Sequence, residues 1–220
     1  MDEIRDFFPV WDQLSSEDRD ALQANAMTRP VHAGEVIHRG AYDCVSVFLV
    51  QSGQLRAYIL SEDGKEITLY RLFEGDFCLL SAPCMMHSLQ FDLSIEAEKA
   101  GSLITIPVPV YRAVMQRSAV LANYTNEVMA SRFSDVMWIM DQVMFKSFDV
   151  RLAGFLLDES AIEGSNMLTL THEKIARHLG TAREVVTRML KYFQQEGAVS
   201  LSRGGIELRD KARLRAMSNR

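Results

Sequence analysis

Between residue 31 and about residue 107 the apolar residues come in short runs of Val, Ile, Phe, Leu and Tyr, separated by Gly34, Gly40, Gly53, a polar tract at 61–65 and Gly75-Asp76. Short runs with glycine-marked turns predict the strands of an all-β sandwich or barrel. Before them, residues 1–28 read as short helices. Ser15 or Ser16 can cap one that buries Leu22 and turns Glu17, Asp18, Arg19 and Asp20 to water. After them, Pro107 and Pro109 end the β texture. Helical spacing then runs from about 110 to 145, with a break near Arg117 and Ser118. Leu121, Tyr124 and Val128, then Phe133, Val136, Met137, Met140, Val143 and Met144, put apolar residues on more than one face of that helix. It can pack on its own barrel and on a second copy of itself. Lys146-Ser147-Phe148 reads as a hinge, and 149–159 as a short amphipathic helix burying Leu152, Phe155 and Leu156.

Residues 171–193 predict two helices joined by a tight turn. Thr171 can accept from a free backbone N–H at the start of the first, Ile175, Ala176 and Leu179 form its apolar face, and Gly180 falls where a left-handed residue ends a helix. Thr181-Ala182-Arg183-Glu184 has the spelling of a capping box, after which Val185, Val186, Met189, Leu190 and Phe193 are the buried face. Farther on, apolar runs at 198–201 and 206–208 flank Ser202-Arg203-Gly204-Gly205, a hairpin turn.

The outward face of the second helix carries Arg183, Glu184, Thr187, Arg188 and Lys191 on one side. A helix enters the major groove with its first turns against base edges. Arg donates twice to guanine O6 and N7, Glu accepts from the cytosine amino group, and Lys191, a turn later, suits a phosphate. His172 at the start of the first helix and Arg203 at the hairpin tip are further phosphate candidates, with Thr171 and Thr181 beside them. His178 reads as a surface residue of the first helix.

The pattern Thr171-x-Glu173-x-Ile175-Ala176-x-x-x-Gly180-x-x-Arg183-Glu184-x-Val186-x-Arg188 resembles the helix-turn-helix of the cyclic AMP receptor protein/fumarate-nitrate reductase regulator superfamily. Segments VHAGEVIHRG, VFLVQSGQLRAYIL and GKEITLYRLFEGDFC resemble the cyclic-nucleotide-binding β-roll of the same superfamily, a jelly roll. The resemblance implies that Arg183, Glu184 and Arg188 read a G·C-rich half-site core of TGTGA type, that the long helix is a dimer seam, and that the hairpin is a wing. It also implies a cytoplasmic homodimer and activator on a pseudo-palindromic operator, with RNA polymerase as a further partner.

Charge is split along the chain. The net charge of -5 hides 11 Lys/Arg against 5 Asp/Glu over 171–220, an excess of +6, while 1–170 hold 13 against 24, or -11. Only the basic end is suited to phosphates. Three cysteines are too few for a disulfide scaffold and fit a reducing compartment. The opening MDEIRDFFPV does not read as a signal peptide, and no apolar run reaches membrane-spanning length.

In the superfamily a Gly-Glu and Arg-Ser or Arg-Thr cassette holds the nucleotide. The matching region, 77–91, has neither element, and Lys99 is the only cation between Arg71 and Arg112. A buried phosphate without a cationic partner is costly, so tight cyclic AMP binding is not expected. Phe77, Cys78, Leu79, Cys84, Met85 and His87 are the candidate effector residues. Thiolate, thioether and imidazole suit a haem or redox sensor, and Cys78 with Cys84 a reversible disulfide; packing of soft apolar side chains accounts for the same residues. The first cysteine is Cys44, so the N-terminal cluster-binding group of the fumarate-nitrate branch has no match.

The expected fold is therefore α+β: a sensor β-roll with N-terminal helices over 1–109, a long dimerisation helix and hinge over 110–147, and a winged helix-turn-helix over 148–220. The expected function is DNA-binding regulation in response to a small effector, not enzymatic catalysis. Two rival classes are an effector-independent DNA-binding structural protein and a cupin-type enzyme, which would need a His/Glu ligand group on the barrel strands; His32 and His38 stand isolated.

Overall fold

The computed structural model describes residues 4–40, 46–79 and 93–219. The chain divides into two compact units, one of residues 1–60 and 69–136, the other of 61–68 and 137–220.

The first unit is built on an antiparallel sheet. Strands β1 (Met27–Val31), β2 (Val36–Arg39), β3 (Ser46–Leu60), β4 (Glu66–Leu72), β5 (Phe77–Cys78) and β6 (Ser94–Pro107) form it in the order β1-β6-β3-β4, with β2 paired to β6 and β5 to β3. The long β3–β6 ladder sets Val47 opposite Ile106, Leu49 opposite Ile104 and Ala57 opposite Ile95, with register shifts between Val50 and Leu55. Such bulges bend long strands, as a roll requires. Over the sheet lie α1 (Ser16–Asn25) and α2 (Val108–Arg117). The core gathers Phe8, Trp11, Leu22, Leu49, Phe77, Ile106, Tyr111 and Leu121. Phe77 lies 5.6 Å from the Phe8 ring, 5.4 Å from Tyr111 and 5.9 Å from Tyr124.

Ser15 caps α1 by accepting from the Asp18 N–H at 3.1 Å. Asp18 departs from the sequence expectation of a water-facing residue. Its side chain is buried, accepting from Arg117 Nε at 2.7 Å and from the Ser15 hydroxyl at 2.8 Å. Burial by itself would raise its pKa, but these bonds and the Arg117 charge outweigh that and hold it below the ordinary value.

The expected helix break is present. α2 stops at Arg117, Ser118 is extended, and α3 (Ala119–Phe145) follows. Along α3, Phe133, Met137, Trp138, Met140, Val143, Met144 and Phe145 are exposed.

The second unit packs α4 (Phe148–Ile162), α5 (His172–Leu179), α6 (Arg183–Gln195) and α7 (Lys211–Ser218) around Leu152, Leu156, Ile175, Val186, Leu190, Phe193 and Leu214. Its sheet runs β7 (Met167–Leu168), β9 (Gly205–Leu208), β8 (Val199–Ser202). β8 and β9 are the predicted hairpin, turning through Arg203 and Gly204. β7, which the pattern of residues did not announce, pairs with β9. The approach is so close that a Cβ on Gly205 would lie 2.1 Å from the Leu168 carbonyl oxygen, and its φ is 143°. No side chain fits there.

Candidate nucleic-acid interface

The helix pair forms as its residues direct. Thr171 accepts from the Lys174 N–H at 3.0 Å and starts α5. Gly180 ends it in the left-handed conformation, φ 65° and ψ 42°, where a residue with a Cβ is strained. The Leu179 carbonyl left over at the helix end accepts from Arg151 Nη1 of α4 at 3.1 Å. The amphipathic faces of α5 and α6 then meet through Ile175, Ala176, Val186 and Leu190.

The start of α6 corrects the sequence reading. Thr181 is not its N-cap: its N–H bonds the Ala176 carbonyl at 3.1 Å, finishing the turn. The N-cap is Ala182, which makes no side-chain cap bond. The capping box therefore does not form. Glu184 is not committed to closing the helix end, and it is exposed.

Arg183, Arg188 and Lys191 are likewise exposed, with Thr187 half-buried between them. These residues line one shallow concavity with Tyr192 and Gln195. Sequence reasoning singles out neither of the last two; Tyr192 is 43% exposed on the same side. Among the described residues, no carboxylate pairs with Arg183, Arg188 or Lys191. Elsewhere in the unit three arginines are paired: Arg177 with Glu66 at 2.9 Å, Arg209 with Glu207 at 2.8 Å, and Arg213 with Glu196. Leaving cations unpaired on one helix face keeps them available to an external anion.

At the edge of the concavity His172, the first residue of α5, reaches across to α6. Its Nδ1 lies 2.8 Å from the Thr187 hydroxyl, which donates to the Arg183 carbonyl at 2.9 Å. Burial, then repulsion from Arg183, lowers the His172 pKa below its ordinary value. His178 is a further correction: it is buried, with its ring 5.3 Å from Phe155 and Nδ1 2.9 Å from the Thr68 hydroxyl. Both partners are distant in sequence, which is why helical spacing alone assigned it to the surface. Arg203 sits at the β8–β9 turn and is exposed.

Of the effector candidates, Phe77 and Cys78 are buried residues of β5 and Leu79, just after it, is buried as well; Phe77 and Leu79 belong to the main apolar cluster of the unit. Cys84, Met85 and His87 lie outside the described residues. Among the described residues, no group of three or more His, Cys, Asp or Glu side chains is placed to hold a metal ion, and no helix is long and apolar enough to cross a membrane.

Comparison with known proteins agrees on both halves of the chain. Residues 28–118 match the cyclic nucleotide-binding domain, and residues 150–217 the Crp-like helix-turn-helix domain. A solved structure from Eubacterium rectale, assigned to the Crp/Fnr family of transcriptional regulators, is 54% identical over 98% of this chain and 100% of its own, with a TM-score of 0.95. The transcriptional activator protein Anr of Pseudomonas aeruginosa is 28% identical over 93% of this chain and 86% of its own length. The cyclic AMP receptor protein of Thermus thermophilus is 25% identical over 94% of each.

Proposed function

Because the chain belongs to the Crp/Fnr family of transcription regulators, we propose that it acts as a homodimer that reads a two-fold operator with α6. Arg183 and Arg188 donate to guanine edges and Glu184 accepts from cytosine. Lys191, Thr171, His172, Thr181 and Arg203 hold the phosphate backbone around them. The observation that carries the reading is the set of exposed cations on α6 that no carboxylate of the described chain neutralises.

Two-fold reading needs two copies of α6 about one helical turn of DNA apart. The exposed apolar residues of α3, from Phe133 to Phe145, supply the seam. Large side chains such as Trp138, 57% exposed, and Phe145, 73% exposed, favour burial against a second copy of the helix. Residues 1–109 then form the sensor, 110–147 the coupling helix and hinge, and 148–220 the reader. The sensor takes a small effector other than cyclic AMP, since no Lys or Arg lies between Arg71 and Lys99 to meet a cyclic phosphate. The effector acts by favouring one pairing of the α3 helices over another.

The test is selection of duplexes from a random pool with the purified full chain, followed by footprinting and sedimentation of the complex. Inverted repeats with G·C half-site cores and two protomers per duplex are expected. Enrichment of no sequence, or one protomer bound to a single half-site, would refute the proposal.

A further inference from the structure

The hydrogen bonds between α5 and α6 determine more than the packing of two helices. The Thr187 hydroxyl has one hydrogen, and it donates it to the Arg183 carbonyl at 2.9 Å. The 2.8 Å bond to His172 must then run the other way, with Nδ1–H donating to the Thr187 oxygen. The neutral ring is thereby held as the Nδ1–H tautomer, and Nε2 carries a lone pair. Among the described residues nothing else bonds that nitrogen. A lone pair cannot donate to a phosphate oxygen. The contact requires a proton on Nε2.

We propose that His172, oriented by Thr187, binds the DNA backbone only as the imidazolium, so that each protomer takes up a proton when it docks on a duplex. This rests on the DNA-reading role of α6. The groups around the ring are mixed in sign, and burial and Arg183 outweigh the rest. From α6, Arg183 opposes a second positive charge, and Glu184 stands next to it on the exposed side. On α5 itself the neighbours are Glu173 and Lys174. The start of β4 contributes Glu66, which is paired with Arg177 of α5. In the free protein burial, and then repulsion from Arg183, favour the neutral ring by lowering its pKa from the ordinary histidine value. A phosphate at Nε2 favours the charged ring, and engagement of Arg183 with DNA offsets the repulsion that had disfavoured it. The pKa is therefore higher in the complex than in the free chain. Affinity is greatest below the free-state pKa and declines as pH rises through the interval between the two values.

The experiment uses a duplex selected from a random pool with the native full-length chain, labelled for fluorescence anisotropy, at constant salt from about pH 5.5 to 8. For the wild type, Kd should increase with pH by up to about tenfold per unit for each protomer. His172→Gln keeps a hydrogen-bonding side chain without titrating, and should remove that slope while leaving the fold intact. Thr187→Ser keeps the hydroxyl and should retain the slope; Thr187→Val should move it to lower pH. Nitrogen-15 NMR of the histidine ring in the free protein should report the Nδ1–H tautomer, a signature that packing alone would not produce. Parallel pH profiles for wild type and His172→Gln, or an Nε2–H tautomer, would overturn the inference while leaving the DNA-reading role standing. Failure to enrich any duplex would remove that role and this inference together.

Discussion

Truncation of Arg183 separates folding from reading more sharply than any other change. The guanidinium is exposed and has no ion-pair partner in the described chain. The one local bond at this residue uses its backbone carbonyl, which accepts from Thr187 and survives substitution. Arg183→Ala should therefore change unfolding free energy by no more than about 0.5 kcal/mol. On DNA, a bidentate Arg–guanine contact contributes about 1–3 kcal/mol of discrimination. A dimer makes it twice, so specific binding should weaken by about 2–6 kcal/mol, or from about 30-fold to above 10⁴-fold. Binding to random duplex should lose only the electrostatic share of one cation per protomer, lowering the slope of log K against log salt by about 1 for each. The assay is anisotropy on the selected operator and on a scrambled duplex, each over a salt series. Denaturant unfolding of the same samples measures stability. Equal weakening on both duplexes would show that Arg183 contacts backbone and not base. A stability loss above about 1 kcal/mol would show that it serves the fold.

Other substitutions probe the remaining parts. Lys191→Ala should weaken all duplexes alike and flatten the salt dependence by about 1 per protomer; a changed half-site preference in repeated selection would refute its backbone role. Trp138→Glu should shift sedimentation from dimer toward monomer. Full burial of a large apolar side chain is worth about 1.5–3 kcal/mol, and two copies lie in the seam, so the dimer constant should weaken at least about 100-fold. An unchanged dimer, or a wild type already monomeric at micromolar concentration, would exclude α3 as the seam. Gly205→Ala must move β7 away from β9, because the added carbon meets the Leu168 carbonyl at 2.1 Å. A cost of about 1–3 kcal/mol by denaturant titration is expected, and wild-type stability would contradict the geometry.

Features read correctly from the residues share a short reach. The Thr171 cap, the left-handed Gly180, the stop at Ser118 and the buried stripe Val186, Leu190, Phe193 each depend on neighbours within about four positions. The same reach explains why the exposed side of α6 could be assigned before any coordinates, since helical period alone puts Arg183, Glu184, Thr187, Arg188 and Lys191 together. Tyr192 and Gln195 were legible in principle by that period, but neither residue type points to base reading strongly enough to stand out.

What was not legible involves partners distant along the chain or a backbone start set by the turn before it. Asp18 was assigned to water because Arg117, 99 residues away, could not be placed beside it. His178 was assigned to the surface because Thr68, 110 residues away, could not be placed against its ring. The capping spelling at Thr181 had the right letters, but the Thr181 N–H finishes the preceding turn on Ala176, which delays α6 by one residue and leaves the Glu184 side chain exposed. Local chemistry along one strand of residues decides which segments become helix or strand and which faces they hide. Which side chain meets which across the fold, and so the tautomer of His172 and the solvent-facing state of the arginines, depends on how those segments pack, since hydrogen bonds and ion pairs act over only a few ångströms.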